Sequence, residues 1–452
     1  MQETSQSELC ISFADRDDVV GALLEAVEVF APSFVYERTS TRTRRPVRTY
    51  IGFGGGTQVS TSADDAFDNL RARLSAASRS QLTMPFCLAF LSYEALIGTR
   101  AAGSPTPHDF FIEPAVLIVL DHQSGIAVLS GAYAALVPTV KKVLETRVAT
   151  SPATAAVDNH ELAGWFPDQS EPEFVARALA LKADIAARND VSGVALSVET
   201  ARDVDVSSLA AYRVLRQINP STCMFFLQTP GFALWGATSL PVLSINGRRI
   251  VAETDGATRR VEPGTSSAWQ PSAKENSEYD LVVTALCEDM QKIIKPGSLT
   301  FIADREARQY FNLQHLFAEI EGELEDDVDA VSALRNLTPH GAATGYSKAA
   351  AIALIDRYDS KPRGPYAGTI GILGIDGSAD IACVIRSAWK VGSTVRTRAG
   401  AKIVAGSDPS SEYQESILKT LPLKRSIALT LGRHTLQASE TKGSAWRSRS
   451  GK

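Results

Sequence analysis

The stretch "RAGAKIVAGSDPSSEYQESILK", Arg398 to Lys419, holds the reading that decides the fold. Its first part is apolar and strand-like, and its second part has helical spacing. Glu412 and Glu415 stand three apart and Lys419 follows four later, so a helix places all three side chains on one face. Much earlier, "AKENSEYDLVV" carries Glu275 and Glu278 at the same spacing, again beside a lysine. Taken alone, each pair reads as a solvated helix face. Two such pairs in one chain raise the question of whether their helices meet.

Working outward, the same alternation of strand and helix recurs. "EPEFVARALALKADIAARND" and "SSLAAYRVLRQINP" have helical spacing with clear stops. "MFFLQTPGFALWGAT" and "VLSINGRRIVAETDGATRR" predict hairpins, the second turning at Asn246-Gly247. "SLTFIAD" predicts a strand and "KAAAIALIDRY" a helix. Near the start, "DDAFDNLRARLSAA" is helical, while "PFCLAFLSYEAL" and "PAVLIVLDHQSGIAVLSG" read as buried strands. Runs of strands with helices between them predict a mixed, layered α+β or α/β fold.

The chain has 452 residues. A single core rarely serves more than roughly 250–300 residues, so two domains or one unusually large layered unit is expected. The predicted divisions are an N-terminal part over 1–165, a central region over 166–436 and a frayed basic tail over 437–452. Apolar content of 44% and charged content of 21% are those of an ordinary globular protein. A net charge of -5 offers no field for nucleic acid. No apolar run approaches the ~20 residues that span a bilayer. The first ten residues show no basic segment ahead of an apolar core, so the expected location is the cytoplasm. The 5 cysteines lack C-x-x-C spacing and predict free, buried thiols rather than a disulfide framework.

Several blocks together carry a resemblance. "INPSTCMFFL", "KPGSL", "LQHLFAEIEGEL", "ATGYSKAAAI", "KPRGPYAGTIGILGIDGSADIACVIRSA" and the opening stretch are similar, in order and spacing, to the signature blocks of the chorismate-utilising enzymes. That family includes anthranilate synthase component I, aminodeoxychorismate synthase, isochorismate synthase and salicylate synthase. The match runs from about residue 190 to 425 and is closest in layout to salicylate synthase. The N-terminal part matches more loosely, through "VYERTS" and "FLSYEALIG".

The resemblance implies a large domain of two stacked antiparallel sheets flanked by helices, of the anthranilate synthase component I kind. It implies chorismate or a close relative as substrate, a dicarboxylate ring bound with Mg²⁺. Glu275, Glu278, Glu412 and Glu415 match the family's metal-site glutamates, some binding directly and others through water. Arg386 and Tyr366 match residues that bind the enolpyruvyl carboxylate, a task a planar guanidinium suits. His315 matches a histidine near the reacting carbon, and Lys419 a lysine facing the acids. Gly400 and Ala401 match a loop whose N–H groups approach a carboxylate. Lys348 and Thr258 match further substrate contacts.

The departures are as informative. The family's general acid, a glutamate in its "S-P-E" block, is Leu240 here in "GATSLP". Losing general acid help costs ~10²–10⁴-fold. The lysine by which salicylate and isochorismate synthases activate water is Gly193, and the arginine of the same strand is Val198. The nucleophilic lysine of aminodeoxychorismate synthases is Gly256. Ala257 and Lys402 replace glycines, and Ala342 replaces a threonine. Two explanations compete. Lys402, as base, nucleophile or carboxylate clamp, and Asp255, as acid, take over the lost roles. Alternatively the reaction is pericyclic and needs restraint and electrostatics rather than proton transfer.

The expectation is therefore an Mg²⁺-dependent lyase or isomerase acting on chorismate, similar to salicylate or isochorismate synthase. Two rivals stand beside it. One is an anthranilate or aminodeoxyisochorismate synthase-like enzyme that takes ammonia from a glutamine amidotransferase partner. The other is a homologue that binds chorismate without turnover.

Overall fold

The computed structural model describes residues 8–13, 18–40, 46–58, 65–78, 84–99, 106–131, 134–146, 163–261, 269–310 and 313–432. The tail expected over 437–452 lies outside them.

Alternating apolar residues drive the chain into two antiparallel sheets, of 12 and 9 strands among the described residues. Residues Phe34, Tyr36, Phe225 and Leu227 of the larger sheet and Phe90, Ile370 and Ile372 of the smaller form one buried cluster, which places an apolar layer between the sheets. Two further clusters join the sheets to the helices that cover them. This is the stacked, helix-flanked arrangement the sequence blocks imply.

The strands before residue 165 are woven into both sheets. Pro32–Thr39 pairs with Cys223–Thr229 in the larger. Phe86–Leu91 pairs with Thr369–Gly374 in the smaller. The early stretch therefore shares its hydrogen bonds with the later one.

Local chemistry accounts for most boundaries. Helix Glu171–Ala186 opens with a capping box of Ser170 and Glu173. The hairpin of Pro241–Asn246 and Arg249–Arg260 turns through Gly247, whose φ of 60° suits glycine, one residue later than the expected Asn246-Gly247 turn. "FLSYEAL" is not strand throughout. The strand ends at Leu91, and Ser92 caps a short helix, Tyr93–Leu96, by accepting from the Ala95 N–H. Cys87, Cys223 and Cys383 are buried free thiols, whereas Cys10 is exposed. No helix among the described residues is long and apolar enough to cross a membrane.

Candidate active site

The site forms where the Gly193–Asp203 and Thr394–Ile403 strands of the larger sheet face the Arg249–Arg260 and Leu313–Glu323 strands of the smaller. Helix Ala273–Gln291 lies on Arg249–Arg260, and helix Pro409–Lys419 on Thr394–Ile403. A cavity of about 260 Å³ opens between them.

Gly256 sets how closely the first helix approaches. A Cβ there would stand 2.8 Å from Tyr279 Cα, so only glycine lets helix and strand close together. That contact brings Glu278, the residue before Tyr279, to the cavity wall. A lysine at 256 is sterically shut out by the same contact. The next residue, Ala257, holds a φ of 50° at a β-bulge, in the left-handed region that glycine prefers.

Glu278, Glu412 and Glu415 all line the cavity, so the two acidic helices do meet. Glu275 does not join them. It is the N3 residue of its helix, where its carboxylate accepts from the Ser272 N–H at 2.7 Å and Ser272 Oγ accepts from its own N–H at 3.2 Å. The signal "SAKE" was readable in the sequence as a capping box.

The cationic side is Arg386, Lys402 and Lys419, each lining the same cavity. Lys419 Nζ lies 2.8 Å from Glu415 Oε1 and donates to the Gly400 carbonyl at 2.9 Å. Burial pulls its pKa down, but Glu415 holds it above the usual lysine range. Arg386, with a φ of 49°, is buried rather than displayed on a turn.

Arg386 Nη2 donates to His315 Nε2 at 2.8 Å, and Thr258 Oγ1 lies 3.0 Å from His315 Nδ1. Arginine only donates, so Nε2 accepts and the ring proton sits on Nδ1, facing Thr258. Burial, then Arg386 and Lys419, push the imidazole pKa well below its usual value, which keeps the ring neutral. The Thr258 hydroxyl is therefore committed first to the histidine.

Gly400 and Ala401, expected on a loop, lie within the Thr394–Ile403 strand, paired with Ser197 and Leu196. Both line the cavity. A Cβ at Gly400 would meet the Leu196 carbonyl at 2.7 Å and Tyr366 Oη at 2.8 Å, so its glycine admits the tyrosine. Lys348 lies elsewhere. Its ammonium donates to the Asn336 carbonyl at 2.9 Å and pairs with Asp289 at 2.8 Å, in a neighbouring cavity across Ala342.

Asp255 lines the cavity, its carboxyl 3.7 Å from His315 Nδ1. Burial raises its pKa against the pull of Arg386, Lys402 and Lys419. Lys402 Nζ donates to Tyr346 Oη at 3.0 Å and lies 4.5 Å from the centre of its ring. Burial lowers the Lys402 pKa to about 8, against the attraction of Asp255 and Glu278. Leu240 is fully buried in the wall, a smooth apolar surface with no proton to give.

Sequence reasoning missed the support beneath this wall. Arg363 is 1% exposed, and its guanidinium donates to the Ala195 and Ala343 carbonyls at 2.6 and 2.8 Å, both cavity residues. Asp359 holds it at 2.7 Å and also faces Arg398, which is wholly buried. The signal was the i, i+4 pair in "DSKPR", hidden by proline and glycine around it.

The chain matches the family of chorismate binding enzymes over residues 31–425, and it belongs to that family. It is 28% identical to anthranilate synthase component 1 of Haloferax volcanii over 432 residues, 89% of this chain and 80% of that one. Anthranilate synthase component I of Streptococcus pneumoniae has a similar fold, with a TM-score of 0.65, 19% identity, and 94% and 93% of the two chains covered. MenF, the menaquinone-specific isochorismate synthase of Escherichia coli, superposes with a TM-score of 0.66 and 19% identity, covering 94% and 95%.

Proposed function

We propose that this cavity binds chorismate, or a close relative, together with Mg²⁺ and converts it in the manner of a salicylate or isochorismate synthase. The observation that carries this reading is the convergence of three glutamates with Arg386 and Lys419 on one small cavity. A dicarboxylate ring needs cationic partners, and a divalent cation needs oxygen donors.

Glu278, Glu412 and Glu415 offer only oxygen, the donor set a small hard cation prefers. Among the described residues, no three His, Cys, Asp or Glu side chains come close enough to cage a metal by themselves. A cation held there would take most of its ligands from water and a substrate carboxylate. When bound, Mg²⁺ supplies charge neutralisation for that carboxylate and polarises it.

The chain's own residues do the rest. Arg386 holds the second carboxylate with N–H groups beyond the one His315 accepts, and Tyr366 bounds that end of the cavity. His315, fixed as the Nδ1–H form, orients Arg386 and carries no competing charge. Lys419 balances Glu415, which offsets part of the repulsion among the three acids.

The test is incubation of purified protein with chorismate and Mg²⁺, with and without ammonium, followed by chromatography and mass spectrometry. An isomer, or salicylate with pyruvate, formed without ammonium is the expected result. Chorismate left unchanged under every condition overturns the reading. The second reading, an ammonia-using enzyme, is favoured by the likeness to anthranilate synthase component 1. A product seen only with ammonium selects it.

A further inference from the structure

We propose that Lys402 and Asp255 are the base and the acid of this cavity, the Lys402 stem running past the strand position left bare at Gly193. The inference rests on the chorismate-converting reading above and names the groups that move its protons.

The geometry begins at Gly193. A Cβ there would meet Lys402 Cγ and Cδ at 3.4 Å each and Val404 Cγ1 at 3.0 Å. Gly193 is not among the glycines with positive φ, so its backbone does not require glycine. A Cβ there would touch the Lys402 stem at ordinary contact distance and press on Val404, so a longer side chain would contest the path that the stem takes. Gly193 is two residues from Ala195, which pairs with Lys402 across the ladder, so their side-chain positions share one face of the sheet. That face lines the cavity through Ala195, Gly400 and Lys402. A lysine amine is thus delivered beside an empty strand position by the neighbouring strand.

Elimination leaves few other candidates. Leu240 has no proton, and His315 uses one nitrogen on Arg386 and the other on Thr258. Lys419 is held charged by Glu415. Asp255 and Lys402 are two further titratable groups of the cavity, and each is the other's opposite charge. Burial raises the proton affinity of the carboxyl and lowers that of the amine, so each is drawn toward its neutral form. The charged groups facing Lys402 are Asp255, Glu278 and Glu412, which favour its proton, and Lys419, which opposes it; Tyr346 accepts from it. Asp255 faces the cations Arg386, Lys402 and Lys419, the neutral His315 ring 3.7 Å away, and the Tyr346 hydroxyl and Cys383 thiol.

The step is a substitution on the ring. Lys402 takes a proton from water as the water oxygen bonds to a ring carbon. The ring π pair shifts, and the C–O bond to the departing hydroxyl breaks with its electron pair on oxygen. That oxygen takes the Asp255 proton and leaves as water. The Lys402 ammonium gives its proton to water and the Asp255 carboxylate takes one from water, which restores both groups, and the net reaction is an isomerisation.

The experiment measures kcat and KM for chorismate with Mg²⁺ across pH, using the full chain and its Lys402→Met, Lys402→Arg and Asp255→Asn variants. Wild type should give a bell, active while the pair holds one proton. Both lysine variants should lose at least ~100-fold in kcat with KM little changed. Asp255→Asn should lose a similar factor, and its residual rate should only rise with pH, because the amine alone must then be neutral. Full activity in Lys402→Arg makes the role one of charge and overturns the inference, as does an unchanged bell in Asp255→Asn. Should Lys402→Met fail to fold by thermal melting, the other two variants decide. Wild type that leaves chorismate untouched defeats the proposed function itself, an outcome separate from these.

Discussion

In helix Ala273–Gln291, the glutamate three residues before Glu278 closes the N-terminus of its own helix. In helix Pro409–Lys419, the glutamate three residues before Glu415 faces the cavity. The spacing is identical and the outcome differs by the register of the cap. Ser272 caps the first helix, which puts Glu275 at N3, the one position from which a carboxylate reaches back to the cap N–H. Asp408 caps the second helix through the Ser411 N–H at 3.1 Å, so Ser411 is N3 and Glu412 falls one residue later. One residue is about 100° of rotation. An i, i+3 pair thus says that two side chains share a face, and the cap decides what else claims the first of them.

The largest expected effect separates the two partners most sharply. Glu278→Gln and Glu415→Gln should each lower Mg²⁺-dependent turnover by at least ~100-fold, because loss of a ligand costs more than the 10–100-fold typical of outer-shell changes. Calorimetric Mg²⁺ titration in the presence of chorismate should weaken in parallel. A fully active Glu278→Gln protein would remove the first helix from the mechanism. Glu412→Gln should fall between, at about 10-fold, if it supports the cation through water. An effect as large as that of Glu415→Gln would show that Glu412 binds directly.

The same contrast measures what was legible in the sequence. Strand alternation and helical spacing are local signals and gave a mixed layered fold with both helices, while the two stacked antiparallel sheets followed from the resemblance. The convergence of Glu278, Glu412 and Glu415 followed from resemblance, and no local rule could have supplied it. The burial of Arg386 leaves no local signal, since the histidine it donates to lies far off in the chain. Gly400 and Ala401 sit in a stretch whose residues read as strand, and the loop came from the resemblance alone; the ladder with Ser197 and Leu196 is the strand. Lys402 and Gly193 each stand out as departures, but that the stem of one runs past the bare position of the other is a matter of register between strands. Glu275 was the opposite case. Its capping box is local and readable, and it claims the carboxylate that the resemblance assigns to a metal.

The smallest effect tests that last assignment. Glu275→Ala should leave turnover near wild type and cost about 1 kcal/mol of stability, read from the denaturant midpoint. Burial favours the neutral acid, but the Ser272 N–H and hydroxyl overcome it and hold the Glu275 pKa below its usual value. A carboxylate with a depressed folded-state pKa contributes stability above its unfolded pKa and loses it as pH falls through the folded value. The gap between wild type and Glu275→Ala should therefore be full near neutral pH and narrow in acid. A gap that ignores pH would mean that the charge plays no part in the cap. Turnover that falls as far as in Glu278→Gln would return Glu275 to the cavity and erase the distinction between the two helices.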